Sequence, residues 1–157
     1  MSEFADKIVI VTGSSSGIGA AIAVEFAKQD AKVVVTGRSE EGIQKTVNEI
    51  KSLGKEEPLQ IIGDIALESV QKKLVEDTIT KYGRLDILVN NAGVISPFDQ
   101  VDNERLLEGF DQVHAINVRA PLNLIHLSVP HIEKTKGNII NISSVASTIP
   151  VSIEKLY

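Results

Sequence analysis

The chain of 157 residues carries 16 basic and 21 acidic side chains, a formal charge of −5, an apolar fraction of 43% and no cysteine. That length builds one core rather than two, and the balance of apolar to charged residues excludes a disordered chain. The acidic balance gives no reason to expect a nucleic acid or an anionic membrane as partner, and the lack of cysteine excludes disulfides, thiolate metal sites and cysteine nucleophiles.

No apolar run approaches the ~20 residues of a membrane span. The acids of "MSEFADKIVIV" stand where a secretion signal carries bases, so a soluble cytoplasmic setting is the expectation. His114, His126 and His131 lie on or beside one long helical stretch without the i, i+4 spacing of a helical metal site, and no metal is expected.

Along the chain, short β-branched runs alternate with helical patterns. Lys7–Thr12 is a compact apolar strand, and Ile18, Ala21, Ile22 and Phe26 then recur at helical spacing up to about Lys28. Lys32–Thr36 is a second strand. Ser39 is placed to cap the next helix, Glu40 and Glu41 suit its first turn, and Gly54 ends it. Leu59–Ile62 is the third strand, followed by a helical stretch with Ile65, Ser69, Leu74 and Ile79 that closes at Gly83. Leu85–Val89 is the fourth strand, a long helix runs from about Asn103 past Leu127, and Asn138–Ser143 is the fifth. Strands apolar on both faces and separated by helices predict an α/β fold, a doubly wound parallel sheet of the Rossmann type with right-handed crossovers. Ligands of such sheets bind at the carboxyl ends of the strands.

The segment "TGSSSGIG", Thr12–Gly19, joins the first strand directly to the first helix. Gly13, Gly17 and Gly19 permit a tight turn, a close backbone approach to a phosphate and close packing of helix on strand. The helix start offers free amides and a partial positive charge to an anion. A purely structural glycine turn is the competing reading, which the strand before and the helix after disfavour. No Lys-Ser/Thr pair follows the glycines, so a nucleoside-triphosphate loop is excluded.

The spacing G-x-x-x-G-x-G, with the preceding threonine, resembles the signature of the short-chain dehydrogenases/reductases. The resemblance continues in order through Asp64–Ile65, "NNAG" at Asn90–Gly93, Asn117–Val118 and "ISS" at Ile142–Ser144, and covers the chain from about Lys7. It implies that Thr12, Gly13, Ser14, Ser15, Ser16, Gly17, Ile18 and Gly19 hold the cofactor pyrophosphate. It also implies that Asp64 and the Ile65 amide read the adenine, and that Asn90, Ala92 and Gly93 line the central cleft. A methyltransferase shares the sheet and the glycine loop but does not account for this register.

Dinucleotide sites that take NAD carry an acid about 20 residues past the glycines, where it bonds the ribose 2′-hydroxyl. Here that stretch reads "VVVTGRSEE", with Gly37 in the acid's place and Arg38 next. A guanidinium attracts a 2′-phosphate that a carboxylate repels, so Arg38 with Ser39, or with Ser14, suits NADP rather than NAD. Glu40 or Glu41 reaching a ribose diol, and Arg38 as a merely solvated loop residue, are the alternatives.

Leu106, Phe110, Val113 and Asn117 step by helical intervals, so Asn117 is expected on a core-facing stripe, where a buried amide needs partners. Pro121, four residues on, has no amide proton for the Asn117 carbonyl, so the helix should bend there. A structural kink and a water-holding carbonyl both fit; the resemblance implies the second, with Asn117 in a proton relay.

The resemblance further implies that Ser144, with Ser143 beside it, orients the substrate oxygen and that Tyr157 is the general acid/base; the 13 residues from Ser144 to Tyr157 match the family's range. A free phenol titrates near 10, about three units too high to serve as a base at neutral pH. The family lowers it with a lysine four residues after the tyrosine. The 157-residue sequence has no such position, and Lys155 precedes the tyrosine at the wrong spacing. The expectation is therefore a single domain over residues 1–157 that is a C-terminally truncated portion of an NADP-dependent oxidoreductase for small alcohols and carbonyl compounds. A homo-oligomer is expected for a longer form. A nucleotide-binding or dimerising module without catalysis is the second reading.

Overall fold

Valine and isoleucine are restricted at χ1 in helices and pack well on a pleated surface. In the computed structural model, which describes residues 2–97 and 102–145, such runs form strands β1 (Ile8–Thr12), β2 (Lys32–Gly37), β3 (Leu59–Ile62), β4 (Ile87–Asn90) and β5 (Asn138–Asn141). They pair in parallel as one sheet in the order β3-β2-β1-β4-β5. Helices α1 (Gly17–Lys28), α2 (Glu40–Ser52), α3 (Glu68–Tyr82), α4 (Leu106–His114) and α5 (Ala120–Thr135) connect them. This is the doubly wound α/β architecture expected from the sequence.

Alternate residues of each strand feed two cores. Val9, Val11 and Val35 pack with Ala23, Ile43 and Val47 of α1 and α2, whereas Ile10, Val34 and Leu88 pack with Leu74 and Leu124 of α3 and α5. Each such fully buried side chain contributes about 1.5–3 kcal/mol relative to exposure, which is why the centre of the sheet reads as an unbroken apolar run. Turn chemistry sets the helix ends: the Ser39 hydroxyl accepts from the Gly42 amide at 3.0 Å, and Gly83 closes α3 in the left-handed region.

The amino-terminal edge of the sheet is held by one carboxylate. Asp86, 1% exposed, accepts from the Ile8 amide (3.0 Å), from Lys7 Nζ (3.3 Å) and from Arg84 Nε (2.9 Å). Burial pushes its carboxyl up, but the bonds from Arg84, the Ile8 amide and Lys7 outweigh that and hold it below the usual carboxylate value.

Several sequence expectations shift. Ile65 precedes α3 instead of lying within it, β4 begins two residues later than expected, and β5 stops at Asn141. On α1 the smaller Ala23, Val24 and Ala27 take the buried face, while Ile18 is exposed, because small residues let this helix lie close to the sheet. The long helix is two α-helices joined by a π-helical turn at Ala115–Arg119, in which the Ala120 amide bonds the Ala115 carbonyl. The expected core stripe is also corrected. Phe110 is 61% exposed and Asn117 is exposed, because Ile116, Ala120, Leu124, Ser128 and Ile132 form the buried face.

Candidate functional site

The strand order turns back between β1 and β4, and the loops leaving their carboxyl ends diverge there. A cleft of about 320 Å³ occupies this place. It is lined by the loop after β1, by residues 36–38 and 63–65 at the ends of β2 and β3, by residues 91–94 after β4, and by Ile116.

The glycine loop is built for close approach. Gly13 and Gly17 have φ of 67° and 55°, in the region that favours glycine. A Cβ on Gly19 would stand 2.3 Å from the Gly13 carbonyl oxygen and 2.4 Å from Asn91 Nδ2, so only glycine brings α1 this near the turn after β4. Ser16 makes no side-chain bond to the helix start, so the first-turn amides of α1 keep their donors beside the cleft.

Thr12 and Asn91 lock that loop to β4. Thr12 Oγ1 accepts from the amides of Asn91 (2.9 Å) and Ala92 (3.0 Å) and donates to the Val89 carbonyl (3.3 Å). Asn91 Nδ2 donates back to the Thr12 carbonyl at 2.9 Å. Asn90, expected to line the cleft, is buried behind it with Nδ2 on Asn141 Oδ1 at 2.9 Å; Asn91 lines the cleft in its place. The reason is strand alternation, which sends consecutive side chains to opposite faces. Ala92 and Gly93 line the cleft as expected.

Three serines lie near Arg38, and they differ. Ser14, fully buried, donates to the Val11 carbonyl and accepts from the Thr36 amide, both at 2.9 Å, so it ties the loop to β2 and has no hydroxyl to offer the cleft. Ser39 caps α2 and lies off the cleft lining, though its own proton can still be donated. Ser15 lines the cleft, and its hydroxyl fills the space a side chain at position 37 would need: a Cβ on Gly37 would come within 2.8 Å of Ser15 Oγ. Arg38 lines the cleft and makes no ion pair among the described residues. Neither Glu40 nor Glu41 lines it, and Glu41 is paired with Lys45 at 2.8 Å along α2.

At the far end, Asp64 Oδ1 accepts from the Ala66 amide at 2.9 Å, and Asp64 and Ile65 both line the cleft. Opposite them, the Asn117 side chain clamps one residue of the β4 loop: Oδ1 accepts from the Val94 amide and Nδ2 donates to the Val94 carbonyl, each at 2.9 Å. Asn117 thus satisfies its amide on the neighbouring loop instead of in the core. It sits in the π-helical turn four residues before Pro121, where the missing proline donor relaxes α-helical pairing.

Ser143 and Ser144 follow β5, leaving the same end of the sheet one strand beyond β4, and they are not among the cleft-lining residues. Tyr157 lies outside the described residues. Thr36, Gly63, Asn91, Val94 and Ile116 line the cleft without having been singled out from the sequence. Position in "NNAG" could have pointed to Asn91 and position before Asp64 to Gly63, whereas nothing in the sequence marks Ile116.

The model of the family described as short chain dehydrogenase matches residues 7–157. The chain belongs to the short-chain dehydrogenase/reductase family. An uncharacterized oxidoreductase of Thermotoga maritima is 41% identical over 155 residues, which are 98% of this chain and 60% of that protein. The L-fucose dehydrogenase of Mus musculus is 38% identical over 157 residues, all of this chain and 55% of that enzyme. A metagenomic short-chain oxidoreductase solved in complex with NADP superposes with a TM-score of 0.87 at 34% identity, over 95% of this chain and 67% of that one. The chain therefore spans about half the length of the curated relatives it matches.

Proposed function

We propose that this chain forms the cofactor-binding part of an NADP-dependent oxidoreductase that interconverts a small-molecule alcohol and its ketone or aldehyde. The observation that carries the cofactor choice is the rim at Gly37 and Arg38. No carboxylate lines the cleft there, Ser15 Oγ stands where an acid's side chain would begin, and the guanidinium is unpaired among the described residues.

The residues present fit such a dinucleotide. The first-turn amides of α1 suit a pyrophosphate, and the glycines at 13 and 19 let the loop and helix start pack directly on Asn91 and Ala92, which holds those amides beside the cleft. Arg38 with the hydroxyls of Ser15 and Ser39 suits a 2′-phosphate, and Asp64 with the Ile65 amide suits an adenine edge. Thr36 Oγ1, buried beside the cleft, has no partner within the described residues. When bound, the cofactor supplies or accepts the hydride. Asn117 holds Val94 against the π-helical turn, and Thr12 holds Asn91 and Ala92, so the segment keeps its position along the cleft. Ser144 orients the substrate oxygen, Tyr157 holds the proton that oxygen exchanges, and the Asn117 carbonyl, freed by Pro121, carries a water in the path to solvent. These last three roles follow the family resemblance.

Calorimetric titration of the chain with NADPH and NADH tests the cofactor reading. NADPH is expected to bind at least about tenfold more tightly, the equivalent of about 1.4 kcal/mol, and tighter binding of NADH overturns it. In a form extended past residue 157 with a lysine four residues after Tyr157, carbonyl-dependent consumption of NADPH supports the oxidoreductase. Binding by that form without turnover on any ketone or aldehyde favours the nucleotide-binding module.

A further inference from the structure

Between α3 and α5 runs a short polar relay that neither the glycine loop nor the reaction centre uses. Gln71 on α3 is 1% exposed, so its amide must be bonded or carry a desolvation cost. Its Nε2 donates to the Ile65 carbonyl at 2.7 Å, and its Oε1 accepts from Asn123 Nδ2 on α5. The direction of this relay is forced. A carbonyl can only accept, so Gln71 must turn its nitrogen to Ile65. Its oxygen then faces Asn123, which must turn its own nitrogen inward.

The peptide between Ile65 and Ala66 is consequently gripped at both ends. Its carbonyl is held by Gln71, and its amide, on Ala66, is held by Asp64 Oδ1 at 2.9 Å. With Oδ1 bonded to Ala66, Asp64 is held in one orientation, with Oδ2 its unbonded oxygen among the described residues. The same grip sets the tilt of the Ile65 backbone. The neighbouring Glu68–Arg119 ion pair also joins α3 to the π-helical turn, but both side chains are exposed, and exposed pairs fix little. The buried relay is the stronger constraint.

We infer that Gln71, oriented by Asn123, is a positioning residue for adenine recognition: it sets the plane of the peptide at 65–66, aims the Asp64 carboxylate through the Ala66 amide of that peptide, and anchors the carbonyl side of Ile65, whose own amide lies in the preceding peptide. This rests on the reading above that Asp64 and Ile65 meet the adenine. The relay also makes α5 part of the adenine site, although no α5 residue lines the cleft.

The test compares NADPH with its deamino analogue, in which hypoxanthine replaces adenine, so that the amino group is lost and the ring nitrogen beside it carries a proton. The full chain should bind NADPH at least about tenfold more tightly than the analogue, because both polar partners of the base are then mismatched. In Gln71→Leu the preference should fall towards unity, through about tenfold weaker NADPH binding with the analogue little changed. A merely structural role would weaken both ligands alike and leave the ratio where it was, and that result overturns the inference. Asn123→Ala is the milder second variant, partly exposed and leaving Gln71 in place. It should lower the ratio part of the way, and the double variant should be no worse than Gln71→Leu alone. An Asn123→Ala ratio equal to that of the unmodified chain counts against the relay. If the unmodified chain discriminates and the variants do too, only the relay fails; if it binds neither ligand, the cofactor reading fails and takes this one with it.

Discussion

Replacing Gly37 by aspartate puts the cofactor reading under direct strain. The new Cβ would stand 2.8 Å from Ser15 Oγ and 2.9 Å from Ser15 Cβ, and rotating the hydroxyl relieves only the first contact. Forcing an atom into such a space costs about 1–3 kcal/mol, which for a chain of this size lowers Tm by roughly 2–12 °C. The carboxylate also meets the 2′-phosphate. Two charges about 4 Å apart near a protein surface interact by up to about 4 kcal/mol, and an open rim reduces this to about 1–2 kcal/mol. NADPH should therefore bind roughly 5- to 30-fold more weakly, whereas NADH, able to offer its 2′-hydroxyl to the acid, should bind no worse. Adding Ser15→Gly removes the crowding, so the double variant should recover Tm while keeping the altered selectivity. Calorimetry with both cofactors and a thermal melt of each variant separate the two effects. If Gly37→Asp lowers Tm but leaves the NADPH-to-NADH ratio unchanged, the 2′-phosphate does not sit at this rim and the assignment of Arg38 fails.

Gly19→Ala presses a methyl onto the Gly13 carbonyl, 2.3 Å away, and should abolish measurable NADPH binding at a stability cost of about 3 kcal/mol, read by titration and melting. Asn117→Ala removes two bonds to Val94, costing about 1 kcal/mol because the site is exposed and water substitutes, and amide exchange at Val94 should speed up while β1 stays protected. Asp86→Asn should cost about 2 kcal/mol at neutral pH, less than a fully buried pair because Lys7 and Arg84 are 40% and 45% exposed. Since the Asp86 carboxyl is held below its unfolded value, the unmodified chain gains stability from it above about pH 4 and loses that gain as pH falls through the folded value. Denaturant melts from neutral to acid pH should show a steeper acid loss in the unmodified chain than in Asp86→Asn.

Where a local signal and the tertiary environment agree, the sequence was readable. β-branched runs marked all five strands, Ser39 and Gly83 marked helix ends, and the glycine spacing marked the loop that lines the cleft. Legibility failed where the decisive partner lies far away in the chain. The periodicity of Leu106, Phe110 and Val113 suggested a buried Asn117, but packing of Ile116 and Ala120 on the sheet selects the other face. The proline pointed to a disturbed helix without saying that a π-helical turn would absorb it. Ser14 and Ser15 are identical neighbours in the sequence, and only the pairing of β1 with β2 buries one and exposes the other to the cleft. Nothing in the local sequence marks Gln71, whose burial depends on the packing of α5 against α3.

The Asp86 clip and the cleft stand at opposite ends of the same strands. Strand register in β1 and β4 is therefore anchored at a distance from the loops that select the ligand. Those loops resemble interchangeable fittings on a frame bolted at its other end. An engineer can rewrite residues 14–16, 37–39 or 63–66 to retune selectivity without loosening the bolt, and can tighten the bolt to gain tolerance for such rewriting. Strand register and ligand selectivity are thus set at opposite ends of the sheet, and what a rewritten loop costs locally leaves the Asp86 clip intact.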